Sequence, residues 1–134
     1  MKVSLSFVCA CVVAALLAGA PAAHAHHSFA AVFDLNAPIV TMQATVVKYE
    51  FLNPHSRVEF DVVNDKGETE RWLAQIGNTN ALARLGWNKT VLNTGDKIKI
   101  DGIKARDGSK YLLGRGFYLS DGRKLFGNTP NATR

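Results

Sequence analysis

The residues of this chain best suited to chemistry are three histidines: the adjacent pair His26-His27, and His55 in the stretch Phe51-Leu52-Asn53-Pro54-His55. A chain beginning at His26 would carry a free α-amine beside an imidazole, which is two nitrogen ligands on one residue. An imidazole from His55 would complete a T-shaped set of three nitrogens, a histidine brace suited to copper. Donors of this type favour copper, nickel or zinc over magnesium or calcium. His27 is held too close to His26 to act as the third brace ligand. It has an option of its own, because an imidazole at the second position binds Cu(II) together with the amine and the intervening amide nitrogen. The plainer roles are also open: Asn-Pro opens many turns and leaves the next side chain to bond a loop carbonyl. His26 and His27 would then be only a frayed terminus behind a cleavage site.

That chemistry depends on a new amino terminus, and the start of the chain is built to supply one. Lys2 precedes an apolar or small run, Phe7 to Ala18, followed by Gly19, Pro21 and Ala23-His24-Ala25. A basic start, an apolar centre and a small-x-small end describe a secretory leader cleaved after Ala25. The run falls short of the roughly 20 residues that span a bilayer. Export to the periplasm or outside the cell is the expectation, with residues 1–25 removed and no transmembrane segment left. Both cysteines, Cys9 and Cys11, go with the leader. The mature chain from His26 onward therefore excludes disulfides, cysteine-zinc sites and thiol nucleophiles. The formal charge of +5 becomes +4 once Lys2 is gone. A basic balance of this size suits an ordinary exported protein, with some preference for acidic partners.

The elements that would position the histidines read in order. Residues 26–38 form an N-terminal arm in which Phe29, Val32 and Phe33 share one helical face, so a turn or two of docked helix is expected before Pro38. The first strand, Ile39 to Phe51, carries apolar residues at even positions through Val46 and at odd positions from Val47. A change of phase inside a continuous strand is the mark of a β-bulge. Val58, Phe60 and Val62 alternate in a second strand, Trp72, Ala74 and Ile76 in a third. Asn78 or Thr79 then caps a short helix that ends at Gly86, and Trp87 packs inward behind it. Strands Lys97 to Lys104 and Lys110 to about Leu119 follow, with Gly114 and Gly116 marking a bend. Three strands, a helix and two strands in this order give a five-stranded OB-like β-barrel over residues 39–126, with an SH3-like barrel or open sheet as the alternative. Residues 127–134 are a polar tail. An extended arm of about a dozen residues spans roughly 40 Å, enough to run back along the barrel toward His55.

No nucleophile elbow and no phosphate-binding loop is present, so no catalytic residue is assigned. The competing function class is a metal-free module that binds a peptide, glycan or envelope protein on the barrel face, through Arg57, Glu59, Asp61 and Arg71. That mixed-sign face lacks the aromatic platform and positive groove that single-stranded nucleic acid requires.

The pattern His26-His27-Ser28-Phe29, Asn53-Pro54-His55, Trp72, Asn80-Ala81-Leu82 through Gly86-Trp87, Gly95-Asp96 and Asp121-Gly122-Arg123-Lys124 resembles the exported bacterial proteins of family DUF6152. The resemblance covers nearly all of the chain after the leader. It implies export and a compact β-rich fold, and it carries no activity with it.

Overall fold

A computed structural model describes residues 29–127. The elements are α1 (Phe29–Val32), β1 (Val40–Glu50), β2 (Arg57–Val63), β3 (Thr69–Gln75), α2 (Thr79–Arg84), β4 (Lys97–Lys104), β5 (Tyr111–Tyr118) and β6 (Lys124–Phe126). The strands lie in the order β3-β2-β1-β4-β5-β6, and β3 returns to pair in parallel with β5. That parallel seam, Leu73 to Gln75 against Tyr111 to Leu113, closes a five-stranded ring. Closure through β3 and β5, with a helix between β3 and β4, makes this an OB-like barrel, and β6 adds a short sixth strand on the β5 margin.

β1 belongs to both halves of the barrel because it changes phase. Val46 faces Phe60, Lys48 faces Glu59, and Val47 is the extra residue between them. Ala44 and Val46 are buried before the bulge, and Tyr49 and Phe51 pack against the core after it. The turn ahead of β4 satisfies the displaced backbone. Asp96 O accepts from Val46 N–H at 2.9 Å, Gly95 N–H donates to Val46 O at 2.7 Å, and the Thr94 hydroxyl donates to Val47 O at 2.9 Å.

Inside the ring, Val58, Phe60, Ala74, Ile76, Ile100, Leu112 and Phe117 are buried together with Trp87. Trp87 meets Phe117 edge to face at 5.0 Å and donates its indole N–H to Phe126 O at 2.9 Å. Burying a large ring of this kind requires a partner for its N–H, and β6 supplies it. The chain reaches Trp87 through a sharp helix stop. Asn78 caps α2 by accepting from Ala81 N–H, and at the other end Gly86 (φ 90°) and Trp87 donate back to Ala83 O and Leu82 O. That double bond is a Schellman stop, which requires the left-handed conformation glycine adopts at no steric cost.

A second apolar cluster lies on the outside of the β4–β5 hairpin. Ile103, Ala105 and Leu113 are buried there under Phe33, with Val32, Leu35, Ala37 and Tyr111 around them. Phe33 pairs with Ala105, its ring sits 5.2 Å from that of Tyr111, and Arg106 N–H donates to Val32 O at 2.9 Å. Among the described residues no helix is long and apolar enough to cross a membrane.

Candidate functional site

His55 sits in the loop between β1 and β2, half-buried, and its neighbours fix the loop on both sides. Before it, Asn53 Oδ1 accepts from both the backbone N–H and the hydroxyl of Thr79, at 3.0 and 2.9 Å. Thr79 is the first residue of α2, so this bond satisfies one of the donors that a helix start leaves open. After it, the fully buried Ser56 donates its hydroxyl to Leu52 O and accepts from Leu52 N–H, both at 3.1 Å. The Ser56 backbone also continues the β2–β3 pairing, donating to Gly77 O and accepting from Ile76 N–H, both at 2.9 Å. The Asn53-Pro54 peptide is cis. The bonds of Asn53 and Ser56 fix the backbone on both sides of His55. Asn-Pro-His indicated a turn in the sequence, whereas the clamp by Asn53 on α2 depends on a contact 26 residues away.

His26 and His27 lie outside the described residues, so His55 is the sole imidazole among those described. Among the described residues no three His, Cys, Asp or Glu side chains gather closely enough to hold a metal ion. A metal site that used His55 would have to draw its other nitrogens from elsewhere in the chain. Were His26 the first residue, its amine and imidazole would form a donor set that fits copper.

A row of outer-face side chains links the docked arm to the β2 side of the barrel. Phe33 packs on Tyr111, whose hydroxyl donates to Gln75 Oε1. Gln75 is the cross-strand partner of Arg57, two residues beyond His55. Upstream of Phe33 the arm runs beside Arg106, whose backbone N–H donates to Val32 O and whose Nε donates to Ala30 O, so it reaches this row from the side of the β4–β5 turn.

Arg57, Glu59, Asp61 and Arg71 share the outer face of β2 and β3, and they spend their charge on one another. Arg71 Nε donates to Asp61 at 2.5 Å and a guanidinium nitrogen lies 3.9 Å from Glu59. Arg57 lies 3.6 Å from Glu50, which also takes Lys48 at 2.8 Å. Arg71 lowers the Asp61 carboxyl below its ordinary pKa through that bond, and Lys48 does the same to Glu50. The face is a ladder of exposed ion pairs with no net charge left over, and such pairs hold little free energy in water.

Glu70 shares its side of β3 with the buried Trp72 and sits at the barrel rim, accepting from the Trp72 indole and Asn64 amide, both at 3.2 Å, and from Lys110 at 2.9 Å.

No curated protein and no solved structure matches the chain. A family model described as a family of unknown function does match, over residues 13–114. The span takes in His26-His27, the Asn53-Pro54-His55 loop and every element through β4, and it stops short of Asp121-Gly122-Arg123-Lys124. With most of its length inside that match, the chain belongs to family DUF6152.

Proposed function

We propose that this is an exported metal-binding barrel that takes a transition metal, copper first, through the α-amine and imidazole of His26 and the imidazole of His55, with His27 assisting. The observation that carries the reading is the fixed loop of His55, bonded through Asn53 to α2 and through Ser56 to Leu52. The arm in turn is docked by Val32 and Phe33 on the outer surface that also carries Tyr111, Gln75 and Arg57. Only two residues, His27 and Ser28, lie between His26 and Phe29, a span of about 10 Å when extended. Pinning the arm also cuts the conformational entropy that closing such a site would otherwise cost. Holding or delivering a metal needs only these nitrogens. Bound copper would also bring one-electron chemistry to the site.

The test is a copper titration of protein beginning at His26, beside His55→Ala and a form with one alanine added before His26. Expected are one tight equivalent and at least about a tenfold weakening in each altered form, equal to about 1.4 kcal/mol. Affinity should rise with pH, because imidazole and amine bind a metal only once deprotonated. Binding that ignores both changes, or no binding, rules out the brace.

A further inference from the structure

Three lysines differ from most of the paired basic side chains. Lys48, Arg57, Arg71, Arg106, Lys110 and Arg123 each lie against a carboxylate oxygen, at 2.5 to 3.9 Å. Lys97 instead donates to the Thr45 hydroxyl at 2.6 Å. The Lys99 ammonium lies 4.1 Å from the centre of the Tyr118 ring, and that of Lys124 lies 4.8 Å from the same ring and 5.0 Å from Phe126. A hydroxyl or an aromatic face holds an ammonium in place without cancelling its charge. Asp101 is the carboxylate within the group, and it accepts from the hydroxyls of Thr41 and Tyr118, both at 2.8 Å. Asp61 also faces this region, and its charge is already matched by Arg71. Three cations against one available carboxylate leave this patch positive, where the β2–β3 face is neutral.

The patch borders a concave surface. A cleft of about 530 Å³ opens between β1, the end of β2, the start of β4 and the end of β5, with Gln43, Thr45, Asp61, Val63, Lys97, Lys99 and Tyr118 in its walls. That volume is in the range of small-ligand sites. The walls combine ammonium groups, an amide and a hydroxyl, and an apolar side chain, Val63, that is 66 % exposed. Lysine hydrogen bonds to an ionised acceptor are about twice as strong as neutral ones.

We infer that this cleft binds an acidic oligosaccharide. The carboxylate or sulfate groups lie on Lys97 and Lys99, ring hydroxyls meet Gln43 and Thr45, and the C–H face of a sugar packs on Val63. An anionic membrane is a poorer match, because the two ammoniums line a depression rather than a protruding ridge. Single-stranded nucleic acid is poorer too, since the Tyr118 ring on which a base would stack is engaged by lysines. The inference is independent of the histidines: the cleft opens at the far end of β2 from His55.

The test uses backbone amide NMR of the chain from His26, without metal, during titration with an oligogalacturonate tetramer and separately with a heparin-derived tetrasaccharide. Shifts should concentrate at 43–45, 97–99 and 118–120 with at least one of the two acidic oligomers. Combined Lys97→Gln and Lys99→Gln should weaken that binding at least about tenfold, and Val63→Ser should weaken it less. Lys110→Gln, remote from the cleft and paired with Glu70, should leave it unchanged. Silence toward both oligomers overturns the inference. Equal binding of a neutral tetramer, or the same shifts from inorganic sulfate alone, also overturns it. Co-sedimentation with phosphatidylglycerol vesicles without oligosaccharide binding would replace it with a lipid surface.

Discussion

Glu70 gathers donors from three parts of the chain: Asn64 in the turn before β3, Trp72 on β3 itself, and Lys110 at the entry to β5. These bonds, that of Lys110 foremost, hold its carboxyl below the ordinary value of 4.5. The folded chain therefore takes up this proton less readily than the unfolded chain does. The stability that results is complete above pH 4.5 and is lost as pH falls toward the lower folded value. Glu70→Gln keeps an acceptor and removes the charge. It should lower stability at pH 7, and its deficit against the parent in urea unfolding should shrink steadily below about pH 4.5. A deficit that stays constant through that range would mean that the charge contributes nothing at the rim. At this scale the sequence is informative about residue type and silent about partners. Asn-Pro-His and the paired histidines draw attention as chemistry, yet Asn53 reaching Thr79 and Lys99 lying on Tyr118 depend on strand register.

The arm shows how an element can be tested by its own hydrogen bonds. Phe33 is 1 % exposed, and truncating a buried ring of this size costs about 3–5 kcal/mol in a core that cannot give way, less here because the arm can lift off. Phe33→Ala should therefore release the Arg106 amide, whose acceptor is Val32 O, to hydrogen exchange. The Ala105 amide, whose acceptor is Tyr111 O within the hairpin, should stay protected. Loss of both together would show that arm and hairpin form one cooperative unit. Much of the element structure is legible in the sequence, because a bulge shifts the apolar phase of β1 and a glycine stop precedes Trp87. That the arm docks is expected from its apolar face, but where it docks is not legible. Leu112-Leu113, apolar on both faces of a strand, is the trace it leaves, and only the fold shows that Phe33 is what lies outside Leu113.

At the scale of the molecule, closure depends on the short parallel seam between β3 and β5. Gly114 lies beside it with no room for a side chain: a Cβ there would stand 2.8 Å from Ile76 Cγ2 and 2.8 Å from Phe117 Cζ. Gly114→Ala should cost about 1–3 kcal/mol by overpacking, read as a lower denaturant midpoint, and an unchanged midpoint would show that the wall gives way freely. The same seam sets a timescale. Leu73 must find Tyr111, and Val40 must find Gly102, before either strand gains from the meeting. Assembly is thus governed by the entropy of closing long loops, and barrels of such wiring fold on the order of milliseconds to seconds. Until that seam closes, β3 and β5 present open edges on which another chain can pair.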